Sequence, residues 1–70
     1  MANMESPLTG KILAINFNVG DQVTEDDEIM IIESLKMETP LFSPEAGKIE
    51  EILIKVGDRV QEGDVLAVVD

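Results

Sequence analysis

Lys36 is the residue in this chain with the most chemistry to offer, and its neighbours single it out. It stands in Glu33-Ser34-Leu35-Lys36-Met37-Glu38, with a large apolar side chain on each side and a carboxylate beyond each. A primary amine is an acyl acceptor: once unprotonated, it attacks an activated carbonyl and keeps the acyl group as an amide. Lysines that activate themselves sit desolvated or beside other cations, and this segment offers neither. The acyl group must therefore arrive already activated on a separate enzyme. Leu35 and Met37, if exposed, are an apolar mark by which a partner recognises the site. Glu33 and Ser34 belong to the same recognition segment.

Little else in the chain can do chemistry. Histidine, cysteine and tyrosine are absent, so disulfides, the usual transition-metal sites and a nucleophile–base constellation are excluded. The domain is expected to be a non-catalytic component. Asp26/Asp27 and Glu50/Glu51 are adjacent acids, and adjacent residues of an extended chain point to opposite faces, so neither pair forms a dyad. The acids at positions 25–28 are expected to form a solvated turn. Lys11, Lys48, Lys55 and Arg59 have a plain reading as surface charges.

Fifteen acids against five bases give a net charge of −10. A phosphate backbone would be repelled, which argues against nucleic-acid binding, and the charge favours a soluble monomer. Residues 1–7 lack the basic and then apolar regions of a signal peptide. No apolar run approaches membrane-spanning length, so direct membrane insertion is not expected. The cysteine-free composition is compatible with a reducing compartment, and the expected location is cytoplasmic.

What positions the lysine is a duplication. Sliding the chain by 37 positions sets residues 6–33 over 43–70, with 12 of the 28 aligned pairs identical. Ser-Pro, Gly-Lys-Ile and Val-Gly-Asp-x-Val recur in both copies. The reading is one domain over residues 1–70, built from repeats 6–33 and 43–70, with an unduplicated link at 34–42 that holds Lys36. Each copy contains an apolar strand at 12–17 or 49–56, a Gly-Asp turn, and a closing strand at 29–32 or 65–69. Leu13, Ile15 and Phe17 alternate with Ala14 and Asn16 in the first copy. In the second, Ile49 lies three residues before Ile52, which predicts a bulge. For the link to pair with the strand before it, the chain must reverse at Leu35-Lys36. A two-residue hairpin loop prefers Asn-Gly or Asp-Gly, so Leu-Lys there raises the possibility of a functional constraint.

Glu33-Ser34-Leu35-Lys36-Met37-Glu38, set between duplicated Gly-x-Ile and Val-Gly-Asp-x-Val units, resembles the biotinyl attachment domain over essentially the whole chain. The usual family motif is Ala-Met-Lys-Met; Lys36 and Met37 match it, while Ser34 and Leu35 replace Ala and the first Met. The resemblance implies an all-β fold, a flattened barrel or sandwich of two interlocked four-stranded halves with pseudo-twofold symmetry. It also implies biotin joined to Lys36 by a biotin protein ligase. As a swinging arm, the group would carry CO2 between biotin carboxylase and carboxyltransferase, or decarboxylase, components. Tethering would hold it near each site at an effective concentration on the order of millimolar. The sister lipoyl domains place their lysine at the same tip, so a lipoate carrier of a 2-oxoacid dehydrogenase or glycine-cleavage type system is the alternative. An unmodified structural module on the same scaffold is a third reading.

Overall fold

The computed structural model describes residues 2–70. All regular structure is β: β1 (Ala2–Glu5), β2 (Gly10–Ile15), β3 (Gln22–Val23), β4 (Glu28–Ser34), β5 (Met37–Phe42), β6 (Gly47–Ile52), β7 (Arg59–Val60) and β8 (Val65–Val69). They form two antiparallel four-stranded sheets, ordered β1-β8-β6-β3 and β5-β4-β2-β7. Each sheet takes two strands from each copy of the repeat, which is how the halves interlock.

The duplication is obeyed down to the pairing register. Lys11 and Ile15 of β2 face Glu33 and Met30 of β4, and Ile52 of β6 faces Ala67 of β8, each the counterpart 37 residues on. Identical residues mark where one copy is tied to the other. The Gly20 N–H donates to the Ile49 carbonyl and the Gly57 N–H to the Ile12 carbonyl, both at 2.8 Å. Gly20 and Gly57 both have φ of +95°, a conformation that costs glycine little. The aspartates that follow them hold these turns closed. Asp21 Oδ2 accepts from the Asn18 N–H at 2.8 Å, and Asp58 Oδ2 from the Lys55 N–H at 2.9 Å.

The core repeats in the same way. Among the described residues, its twelve buried apolar side chains fall into six repeat-related pairs: Met4/Leu41, Ile12/Ile49, Val23/Val60, Ile29/Leu66, Met30/Ala67 and Ile32/Val69. Ser6 and Ser43, the buried polar residues, are a seventh pair, and each hydroxyl donates to the carbonyl two residues on. Aliphatic burial between two sheets is therefore what holds the domain together.

Three expectations need correction. The central strands begin at Gly10 and Gly47, not at residues 12 and 49, and end at Ile15 and Ile52. A Cβ at Gly10 would run into the Glu33 carbonyl oxygen, and one at Gly47 into that of Asp70. Glycine is what lets each strand pair from that point. The bulge expected in the second copy, between Ile49 and Glu51, is present, but the first copy carries the same one between Ile12 and Ala14. It interrupts the simple alternation read at 13–17, leaving Leu13, Ala14 and Ile15 all half-buried. Finally, the link is shorter than 34–42. β1 pairs with β8 through Ala2↔Val69 and Met4↔Ala67, and β5 pairs with β4 through Thr39↔Ile32 and Leu41↔Met30. Residues 2–5 are thus the counterpart of 39–42, disguised by unrelated side chains. Among the described residues, only the hairpin segment is left without a counterpart.

Candidate functional site

β4 and β5 form the hairpin. Ser34 pairs with Met37, which leaves Leu35 and Lys36 as a two-residue loop. Their φ angles are +53° and +64°, the only positive values at non-glycine residues among those described. Both central positions of a type I′ turn require that sign. Leucine and lysine meet it against their own preference, at a cost of about 1–2 kcal/mol each. The neighbouring strands dictate the turn: β4 is anchored in the core by the fully buried Ile29, Met30 and Ile32, and its register against β5 fixes where the chain reverses.

The turn holds its side chains out in solvent. Leu35 is 93% exposed and Met37 69%, and Lys36 between them is exposed too. Glu33 and Glu38 face each other one step below, with Ser34 half-buried between Glu33 and the loop. The sequence-derived site residues therefore converge on one apex. An exposed amine on a two-residue turn can be approached from outside, and an acyl chain attached to it would leave the surface rather than fold into the core.

The surroundings of Lys36 are richer in cations than its own segment implies, because Lys11 and Arg59, plain surface charges by sequence, border the same recess. Lys11 faces Glu33 on β4 and Arg59 on β7. The recess, of about 270 Å³ at the foot of the hairpin, is lined by Lys36 and Ser34 as well. A signal was available. Lys11 is shared with its twin Lys48, whereas Arg59 has Gln22 as its counterpart, so the arginine belongs to one end only.

A family model described as "Biotin-requiring enzyme", covering biotin and lipoyl attachment domains, matches residues 2–69. The chain belongs to the biotin/lipoyl attachment family. Among curated relatives of this family, the biotin carboxyl carrier protein of Streptococcus mutans is 45% identical over 38 residues, which is 54% of this chain and 29% of that protein. Among solved structures, the urea carboxylase of Kluyveromyces lactis superposes over 99% of this chain with TM-score 0.91 and 36% identity. The lipoyl domain of the 2-oxoglutarate dehydrogenase complex of Azotobacter vinelandii covers 89% of this chain and 78% of its own, with TM-score 0.77 and 27% identity. The chain spans less than a third of the carrier protein and 6% of the urea carboxylase. The matched parts of the two solved structures share the two-sheet architecture of this chain. Among the described residues no group of three His, Cys, Asp or Glu is placed to hold a metal ion, and no helix is long and apolar enough to cross a membrane.

Proposed function

We propose that this domain is a biotin carboxyl carrier in which Lys36 is the attachment residue. The observation that carries the reading is the placement of one exposed amine between exposed Leu35 and Met37 on the strained turn joining the two copies. Likeness to a biotin carboxyl carrier protein and to a urea carboxylase, closer than to a lipoyl domain in identity and superposition, favours biotin over lipoate.

Lys36 fits the group on geometry. An amine this open can enter a ligase's active site without unfolding its own domain, and the two-residue turn sets it at the end of the hairpin. Biotin, once bound, supplies the capacity to hold CO2 in transit between a carboxylase and a carboxyltransferase or decarboxylase. The chain's own part is mechanical. Leu35 and Met37 give the ligase an apolar grip, Glu33 and Ser34 extend that surface, and the sheets keep the apex fixed. The domain carries and does not catalyse. Its partners are the ligase and the catalytic components of a biotin-dependent enzyme, in the cytosol.

The test is intact mass after co-expression with a biotin protein ligase, and separately with a lipoate ligase. A single biotinyl increment that disappears in Lys36→Arg is the expected result. A lipoyl increment alone would assign the domain to the sister group. No increment with either ligase, or one that persists in Lys36→Arg, would overturn the reading.

A further inference from the structure

We propose that Lys11 and Arg59 form a carboxylate-binding recess engaged by the enzyme that acylates Lys36; the proposal rests on the reading of Lys36 as attachment residue. Three of the chain's five cationic side chains, Lys11, Lys36 and Arg59, border the recess at the hairpin foot, against one acid, Glu33, in the same lining. In a chain of net charge −10 this is a local reversal of sign. Register sharpens it. Arg59 faces Lys11, Lys11 faces Glu33, and Glu33 faces Glu38, so four strands carry a row of two positive and then two negative residues. Directly opposed residues share a face of the sheet, so this row is a surface and not a coincidence of numbering.

The pseudo-twofold provides an internal control. It carries Arg59, Lys11 and Glu33 onto Gln22, Lys48 and Asp70, at the end of the molecule that has no hairpin. Lysine and acid are kept there, and the arginine is not. A glutamine serves the same strand position in the same register, so the fold does not call for a guanidinium at 59. Its side chain is exposed and borders the recess that contains the acceptor lysine.

A guanidinium beside an ammonium is suited to a carboxylate, which it can hold bidentately. The occupant follows from reach. An enzyme that uses a group at the far end of a long arm can stand away from the apex. The enzyme that forms the amide must bring its bound carbonyl to about 3–3.5 Å from the lysine nitrogen. Its wall then closes over the recess, and an acidic side chain on that wall meets Lys11 and Arg59. The row of unlike signs would also orient the domain, so that the apex and not the opposite end is presented.

The test uses the whole chain, a biotin protein ligase, biotin and ATP, with acylation followed by intact mass at varied carrier concentration. The wild-type increment comes first; its absence would overturn the attachment reading rather than the recess. Given that increment, Arg59→Gln is expected to raise KM for the carrier about two- to fivefold, the range of an exposed ion pair, with kcat unchanged. Lys11→Gln should act in the same direction, Arg59→Lys should recover part of the loss, and added salt should shrink the difference. Lys48→Gln, at the twin position, should leave KM unchanged. Wild-type KM in both Arg59→Gln and Lys11→Gln would overturn the proposal. So would an equal effect from Lys48→Gln, which would reduce it to net charge. So too would unchanged ligase kinetics with a raised KM for biotin carboxylase, which would give the recess to that enzyme.

Discussion

Replacing Leu35-Lys36 by Asn-Gly should make the domain more stable while removing its acceptor. The two native residues hold φ of +53° and +64°, and each left-handed non-glycine residue costs about 1–2 kcal/mol. Asparagine tolerates that region, and because Leu35 is 93% exposed its loss gives up almost no buried area. Glycine at 36 relieves the second strain but returns about 0.4–1 kcal/mol through a freer unfolded chain. The net gain expected for the pair is about 1–2 kcal/mol. In a domain of this size each kcal/mol moves Tm by roughly 4–8 °C. Urea titration followed by circular dichroism should show a higher midpoint at constant slope, with a matching rise in Tm. Leu35→Asn alone should give about half the gain, keep Lys36, and slow its acylation because half of the apolar mark is gone. A double variant no more stable than the wild type would refute the idea that this turn is held against its own preference.

The two kinds of glycine should respond differently to substitution. Gly10→Ala is expected to cost about 1–3 kcal/mol by urea titration, because its methyl group runs into the Glu33 backbone, which cannot move aside as the nearby Ile32 side chain could. Gly20 has open space around a Cβ, so Gly20→Ala should cost about 1 kcal/mol from its φ alone, and Gly20→Asn less. Asp21→Ala removes the acceptor for the Asn18 N–H and should cost about 1 kcal/mol; the twin Asp58→Ala should match it. The double aspartate variant should equal the sum of the two to within about 0.5 kcal/mol in the same titration, since the turns share no partner.

The identities between the copies were enough to expose the scaffold, because they fall where the backbone has no choice. Gly10, Gly20, Asp21 and their twins are fixed by close approach, positive φ or turn closure, and such positions tolerate few residue types. The first strand was not legible for the opposite reason. Ala2-Asn3-Met4-Glu5 and Thr39-Pro40-Leu41-Phe42 need only one inward apolar residue each, Met4 and Leu41, and otherwise differ freely. The symmetric bulge is masked in the first copy because Leu13 and Ile15 imitate an uninterrupted strand, whereas Glu50 and Glu51 in the second do not. At the site, Lys36 could be located by its lack of a twin. Arg59 could not be linked to it from sequence, since they are 23 positions apart and only the pairing of β2 with β7 brings them together. The arginine becomes informative once the second copy is used as a blank and the differences are read against it.

Because every sheet draws strands from both copies, neither copy encloses an interior of its own. A peptide cut at the hairpin would expose Ile12, Ile29 and Ile32 together, all of which are fully buried in the intact chain. Two such peptides could regain that shelter only by clasping each other, as a symmetric pair would. The apex that presents Lys36 is also the covalent bridge that turns such a pair into one molecule, so the tether for the cargo and the seam of the container are the same few residues.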